Sequence, residues 1–153
     1  MNANPKKTRV VAISSRGGHW IELLRLREAF SDQDVTYVTT VPEYRTMVEG
    51  CKFQVVTEAS RDTKFRMAIM AFQVLWILLR IRPAVIVTTG AAPGFIAIWL
   101  GKRLGIRTLW VDSIANAEEL SMSGQLAAKH ADTILTQWEH LSSDRIQYHG
   151  AIV

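Results

Sequence analysis

Two glycines and a histidine, Gly17, Gly18 and His19, lie where the apolar run 10–13 meets an amphipathic segment. Glycine adopts positive φ angles and leaves the main chain open to another molecule, and the first turn of a helix has free N–H groups and a partial positive charge. Such a loop suits a phosphate group, and an imidazole beside it can take a proton from a hydroxyl. The structural alternatives are a plain strand-to-helix turn and a packing or capping histidine, because short motifs are weak evidence.

A second open backbone is predicted in the segment TTGAAPG, residues 88–94. Gly90 would again allow close approach, and Thr88 or Thr89 would supply a hydroxyl donor. A plain strand-to-helix turn explains this segment about as well.

Asp112 and Ser113 follow a third apolar run, ahead of a serine-rich turn and a helix. A carboxylate in this position orients a base, binds a sugar hydroxyl, or caps the next helix. Capping is the commonest of these roles for such a residue.

Short β-branched runs alternate with longer helical patterns along the chain, which predicts a parallel sheet with helices on both faces. The strands are predicted at 9–14, 34–40, 52–56, 84–90, 107–112 and 132–137. The helices are predicted near 19–30, 43–49, 63–81, 94–104 and 118–129. In such a Rossmann-like fold, ligands bind at the carboxyl ends of the strands, where all three segments above would lie.

The helix after His19 is predicted to be amphipathic. Its apolar arc is expected in the core and consists of Trp20, Leu23, Leu24, Leu26 and Phe30. Glu22, Arg25 and Glu28 are expected mostly on the opposite, solvent-facing side.

Residues 67–79, MAIMAFQVLWILL, contain one polar side chain, Gln73, and are flanked by basic residues. A membrane-spanning helix needs about 20 apolar residues, so this segment is too short to span. It is either a helix buried in the domain, which the pattern alone favours, or a helix whose apolar strip lies in the interface of an anionic membrane.

The composition predicts a folded, globular chain, since 48% of the 153 residues are hydrophobic and 21% are charged. This length suits one domain of ordinary size and is too short for two full lobes. The formal net charge of +4 favours anionic partners such as phosphorylated substrates or acidic lipid head groups. The basic residues are scattered and the aromatic residues lie in apolar runs, so we expect no nucleic-acid binding.

Cys51 is the only cysteine, which excludes an internal disulfide and favours a reducing compartment. The histidines show no metal-ligand spacing, so we expect no metal and no other cofactor. The polar, basic segment 1–9 and the short apolar run after it do not fit a signal peptide. We therefore expect a cytoplasmic protein.

Four segments taken together resemble one protein family: SSRGGHWIELLRL, TTGAAPG, WVDSIANAEELSMSGQLAAKHAD and TQWEHL. The family is the acceptor-side subunit of the two-chain N-acetylglucosaminyltransferase of the dolichol-linked oligosaccharide pathway, with bacterial relatives in capsule and exopolysaccharide synthesis. The resemblance extends from about residue 9 to the end. Its most specific parts are the stretch 121–124, the Ala-Asp pair that opens the last strand, and Gln137 with Trp138.

The resemblance implies an inverting glycosyltransferase of GT-B architecture that is divided between two chains. This chain looks like the acceptor-binding lobe, a single Rossmann-like domain over 1–153 with a flexible segment 1–8. The nucleotide sugar would bind to a second, donor-binding subunit in a heterodimer, and the acceptor would be a polyprenyl-pyrophosphate-linked sugar. Without the N-terminal anchor of eukaryotic members, the chain would be peripheral on the cytoplasmic face of the membrane.

The resemblance also implies roles for individual residues. His19 matches the family's glycine-glycine-histidine motif and would act as general base or position the acceptor, and Asp112 stands where relatives carry an acidic residue. Contacts to the acceptor or its phosphates are expected from Ser15, Arg16, Gly17, Gly18, Thr89, Gly90, Ser113, Ser121 and Gly124. Contacts to the membrane are expected from Arg66, Trp76, Arg80 and Arg82. Docking of the partner is expected from Ala151, Ile152 and Val153, the apolar end of the tail 145–153, although such a tail is also typical of a final strand or a frayed end.

Two other functions remain compatible with the residues. The first is a non-catalytic scaffold that recruits and activates a partner glycosyltransferase at the membrane. The second is a free-standing nucleotide-binding or signalling module of the flavodoxin-like type.

Overall fold

A computed structural model describes residues 6–152. Its strands are β1 (Arg9–Ile13), β2 (Asp34–Thr39), β3 (Lys52–Val55), β4 (Val85–Thr88), β5 (Arg107–Val111), β6 (Thr133–Thr136) and β7 (Gln147–Tyr148). They form one parallel sheet in the order β3-β2-β1-β4-β5-β6-β7. The strand order therefore reverses direction between β1 and β4, which is the topological switch point of a doubly wound fold.

Helices cover both faces of this sheet. The α-helices are α1 (Gly18–Arg25), α2 (Lys64–Ile81), α3 (Ala91–Arg103) and α4 (Met122–Ala127). Three 3₁₀ helices span Arg27–Phe30, Pro42–Val48 and Glu139–Leu141. Helices α2, α3 and α4 pack on one face, while α1 and the first two 3₁₀ helices pack on the other.

The two core layers follow from the alternation of side chains along the strands. In β1, Val11 and Ile13 join the layer under α2 and α3, whereas Val10 and Ala12 join the layer under α1. A central parallel strand is buried on both faces, which explains its continuous apolar run. The predicted Rossmann-like fold class is confirmed.

The predicted elements differ from the observed ones mainly at their ends. In place of the predicted helix 43–49 the structure has the 3₁₀ helix Pro42–Val48, and the predicted helix 19–30 divides into α1 and the 3₁₀ helix Arg27–Phe30. The predicted helix 118–129 shortens because Ser121 caps α4 by accepting the N–H of Gly124. A final strand was one of the alternatives for the tail 145–153, and the structure has a two-residue strand, β7, within it.

Helix α2 is buried along one side and exposed along the other. Its buried residues are Met70, Val74, Ile77 and Leu78. Phe65, Phe72, Trp76 and Leu79 are 79%, 71%, 50% and 52% exposed, and their spacing places them on one arc of the helix. Within residues 6–152, none of the helices, α2 included, combines the length and the hydropathy that a membrane-spanning segment needs.

Candidate functional site

The candidate site lies at the carboxyl ends of β1 and β4, on either side of the switch point. The loop after β1 leads into α1, which begins at Gly18, and the loop after β4 leads into α3, which begins at Ala91. Parallel-sheet proteins bind ligands in this crevice because two loops and two helix starts converge there. His19, in the first turn of α1, reaches across it to the loop after β4.

Two hydrogen bonds join His19 to Thr89. The Nδ1 atom of His19 lies 3.0 Å from the carbonyl oxygen of Thr89, and the Thr89 hydroxyl donates to the His19 carbonyl at 2.5 Å. Because a carbonyl oxygen only accepts, Nδ1 must carry the proton, so Nε2 of the neutral ring has a free lone pair. Among residues 6–152, Nε2 has no hydrogen-bond partner, and the side chain is partly exposed. It is therefore available to a ligand as a proton acceptor.

Gly90 is required for this approach of the imidazole. Its φ of +128° is rarely adopted by other residues, and a Cβ built on it would lie 3.0 Å from both Cε1 and Nδ1 of His19. The fold therefore brings together His19, Thr89 and Gly90, three of the residues expected in the site.

The glycine loop after β1 is open on its outer side. Gly17 has a φ of +69°, and its N–H donates to the Tyr44 hydroxyl at 3.2 Å. A Cβ at Gly17 or Gly18 would meet nothing within 4 Å. The positive φ explains the glycine at 17, but neither conformation nor crowding within the described residues explains the one at 18.

Ser15 and Arg16 precede the glycines and contact neighbouring segments. The Ser15 carbonyl accepts from the Thr39 hydroxyl at 3.3 Å, and Arg16 forms an ion pair with Glu58 at 3.0 Å. Both members of that ion pair are largely exposed, so it adds little stability and leaves Arg16 free to contact a ligand.

The Asp112 carboxylate is fully engaged by hydrogen bonds from β5 and from its own loop. Oδ1 accepts from Trp110 Nε1 at 2.9 Å and from the Ser121 hydroxyl at 2.7 Å. Oδ2 accepts from Asn116 Nδ2 at 3.1 Å and from the Ser121 N–H at 2.9 Å. Within the described part of the chain, no hydrogen bond joins Asp112 to His19. Asp112 thus organises the loop that ends at the Ser121 cap.

Ser121 and Gly124 belong to the same packed arrangement. The Ser121 hydroxyl donates to Asp112 and accepts the Gly124 N–H at 2.9 Å. A Cβ at Gly124 would lie 2.5 Å from Asp112 Oδ1. The structure therefore gives both residues a role within the fold.

Glu22 is buried, and its predicted position on the solvent side of α1 is wrong. The residue is 4% exposed, and Oε1 accepts from the Ile114 N–H at 2.8 Å, Gln137 Nε2 at 3.1 Å and the Ser113 hydroxyl at 3.2 Å. The helical pattern of α1 identified one apolar arc, but α1 has a second neighbour in the loop after β5. Oε2 has no hydrogen-bond partner among the described residues.

Gln137 connects Glu22 to the end of the described chain. Its Nε2 also donates to the Asp112 carbonyl at 3.0 Å, and its Oε1 accepts the Ile152 N–H at 2.9 Å. Arg25 donates to the Ile152 carbonyl at 3.0 Å. Gln137 and Arg25 thus hold the backbone of Ile152 by hydrogen bonds. Ala151 is exposed, and Val153 lies outside the described residues.

The four residues expected at a membrane all belong to α2 or its end. Arg66 and Arg80 are exposed, and the Arg80 guanidinium lies 5.2 Å from the centre of the Trp76 ring, within the range of a cation–π contact. Arg82 is the helix C-cap, with a φ of +49°. Basic groups therefore border the exposed aromatic arc of α2.

The side chains in residues 6–152 form no cluster of three or more histidine, cysteine, aspartate or glutamate groups that could hold a metal ion.

A family model described as "Oligosaccharide biosynthesis protein Alg14 like" matches residues 43–152. The chain belongs to the Alg14 family. It is also 32% identical, over 84 residues, to the UDP-N-acetylglucosamine transferase subunit ALG14 of Candida albicans. That alignment covers 50% of this chain and 38% of the Candida protein.

Solved structures show the same fold as this Alg14-family chain. MurG of Acinetobacter baumannii matches with a TM-score of 0.77 at 12% identity, over 92% of this chain and 45% of MurG. The UDP-N-acetylglucosamine 2-epimerase of Rickettsia bellii matches with a TM-score of 0.74 at 13% identity, over 95% of this chain and 45% of the epimerase. The chain thus spans less than half the length of these relatives, and it has the fold of part of a GT-B glycosyltransferase.

Some of the expected site residues lie inside the range that the family model matches, and others lie outside it. Asp112, Ser113, Ser121 and Gly124 lie inside the matched range 43–152, whereas the glycine loop and His19 lie before it. The family match therefore says nothing about His19, and the evidence for a role of this residue is its geometry alone. Sequence reasoning missed Tyr44, and it placed Glu22 on the wrong side of α1. Gln137 was singled out only as part of the TQW segment.

Proposed function

We propose that this chain is the acceptor-binding, membrane-associated subunit of a heteromeric inverting glycosyltransferase. A donor-binding partner chain would hold the nucleotide sugar, and the acceptor would be a polyprenyl-pyrophosphate-linked saccharide on the cytoplasmic face of a membrane. Membership of the Alg14 family and the likeness to GT-B proteins support a transferase-associated subunit. The observation that carries the catalytic part is the free Nε2 of His19 at the switch-point crevice.

In the proposed reaction, His19 is the general base. Its Nε2 takes the proton of the acceptor hydroxyl while that oxygen forms a bond to the anomeric carbon of the sugar. The bond from this carbon to the nucleoside diphosphate breaks at the same time, and the leaving group departs with its electron pair into the partner's site. Attack from the face opposite the leaving group inverts the anomeric configuration. Thr89 keeps the base in the required tautomer.

The acceptor's pyrophosphate would bind at the glycine loop. The first N–H groups of α1 have no acceptor within the helix, and open space surrounds Gly18. Arg16 would add a positive charge, and Ser15 would add a hydroxyl group. Thr89 would act through His19, because its hydroxyl is buried and donates to the His19 carbonyl. Asp112 would act as a positioning residue through Ser121, because its four hydrogen bonds leave it no part in proton transfer.

Transfer should require both subunits. A donor-binding chain, sought in the neighbouring reading frame, would be co-purified with this chain and assayed with a nucleotide sugar and a lipid-pyrophosphate acceptor. We expect product from the complex and none from either chain alone. Full turnover by this chain alone would contradict the proposal that the enzyme is divided between two chains. A variant that lacks 151–153, co-purified with the partner, tests the proposed docking role of the tail.

The exposed arc of α2 is the proposed membrane contact. Phe72 and Trp76 would enter the interface, and Arg66, Arg80 and Arg82 would meet anionic head groups. Each basic residue near such a surface contributes about 1 kcal/mol. Changing Arg80 and Arg82 to glutamate should therefore weaken binding to vesicles with anionic lipid at least about tenfold.

Vesicle flotation at several lipid concentrations measures this effect. The matched control is Arg107→Glu with Lys129→Glu, which makes the same charge change at exposed residues outside α2. Equal binding by the two double variants would contradict the role of α2 at the membrane.

A further inference from the structure

A cavity of about 990 Å³ lies at the opposite edge of the sheet, where β1, β2 and β3 begin. Its walls are the segment before β1, the 3₁₀ helix Arg27–Phe30, and the first residues of β2 and β3. None of the residues expected in the acceptor site lines it. A ligand there would be separated from His19 by the length of the strands.

The cavity concentrates positive charge. Its lining includes five basic residues, Lys6, Lys7, Arg9, Arg27 and Lys52, and two carboxylates, Glu28 and Asp34. Lys52 forms an ion pair with Asp34 at 2.8 Å, which leaves four basic groups against one carboxylate among the described lining residues. Like charges gathered around one opening repel each other, and an anion bound between them removes that repulsion.

A buried phenol forms part of the cavity floor. Tyr37 is 2% exposed, lines the cavity, and has no hydrogen-bond partner for its hydroxyl among residues 6–152. A phenol hydroxyl can donate a hydrogen bond. Burial, with a smaller contribution from Cys51, raises the pKa of Tyr37, and Arg27 opposes this shift in part. Its ring packs edge-on against Trp20 with 6.0 Å between centroids, which fixes its orientation.

A second neutral group, the amide of Gln33, lines the same cavity. The side-chain oxygen of Gln33 accepts the Thr8 N–H at 3.1 Å, so its NH₂ group remains a donor. Basic groups together with neutral donors are the combination that phosphate oxygens prefer, since charge-assisted hydrogen bonds to phosphate are short and strong.

We propose that this cavity binds a phosphate group, carried either by a soluble phosphorylated compound or by a lipid head group. The four basic groups supply the charge, and the Tyr37 hydroxyl and Gln33 amide supply directed hydrogen bonds. The site is independent of the proposed acceptor site at the other end of the strands.

Titration of the ¹⁵N-labelled chain tests the proposal residue by residue, with inorganic pyrophosphate in one series and vesicles containing phosphatidylglycerol in another. We expect saturable shifts at Arg27, Gln33 and Tyr37 in at least one series. Lys7→Gln with Arg27→Gln should weaken the binding about tenfold or more, and Tyr37→Phe should weaken it several-fold. Lys7 and Arg27 are exposed and form no ion pair in the described chain, so the double variant should fold.

Arg61→Gln with Lys129→Gln removes two exposed charges elsewhere and should leave the affinity within about twofold of wild type. Saturation by pyrophosphate identifies a soluble ligand, and shifts with vesicles alone identify a head group. The proposal is overturned if neither probe produces saturable shifts up to about 10 mM phosphate, or if Lys7→Gln/Arg27→Gln binds like the control. Shifts at Gly17 and Gly18 report the acceptor site separately, and His19→Ala should leave the cavity's affinity unchanged.

Discussion

Replacing His19 with alanine should lower the rate of sugar transfer by the assembled enzyme about 10²–10⁴-fold, the usual contribution of a general base. The variant removes the only group in the described crevice that combines a free lone pair with a fixed tautomer. Steady-state assays at saturating nucleotide sugar, with the acceptor varied, separate the loss of turnover from any loss of acceptor binding. Size-exclusion chromatography shows whether the complex with the donor-binding subunit persists.

His130→Ala is the matched control for this experiment. His130 packs edge-on against Phe95, in the helical layer on the other face of the sheet, so its removal should change turnover less than about twofold. If His19→Ala retained full turnover in an intact complex, the essential chemistry would belong to the partner. The chain would then be a scaffold that recruits and activates that partner.

Replacing Glu22 with alanine should lower the free energy of unfolding by about 3 kcal/mol. The change leaves the Ile114 N–H, the Gln137 amide and the Ser113 hydroxyl without their shared acceptor in a buried region. It also releases the loop after β5 from α1. Urea unfolding followed by circular dichroism measures the loss.

Glu28→Ala is the control that separates burial from charge. Glu28 has the same side chain, follows α1 closely and is exposed, so its removal should change the unfolding free energy by less than about 0.5 kcal/mol. Equal stability of the two variants would contradict the network around Glu22. Glu22→Gln, which keeps one acceptor oxygen, should lose less than Glu22→Ala.

The glycine loop, His19 and Gly90 were predictable because their signals are local. A strand that ends, a glycine that permits a positive φ, and a helix that begins are written in consecutive residues, and parallel topology places the ends of β1 and β4 side by side. The contact of His19 with Thr89 was not predictable, since it joins residues 70 positions apart.

Asp112 shows how the same residue type permits several roles until its neighbours are known. A carboxylate at a strand end suits a catalytic group, a sugar ligand or a cap. Its four donors come from Trp110, Asn116 and Ser121, and their convergence depends on the path of the loop. No periodicity in the sequence describes that path.

The amino-acid sequence by itself determined the alternation of strands and helices, the Rossmann-like class and the glycine–histidine loop, because each depends on residues close together in the chain. The tertiary structure alone decided that Glu22 is buried, that one arc of α2 is exposed, and that basic residues from three segments line the same cavity as Tyr37. Burial and charge clustering depend on which segments face one another across the sheet. Packing decides which segments face one another, so the pattern of residues along a single helix or strand does not predict these contacts.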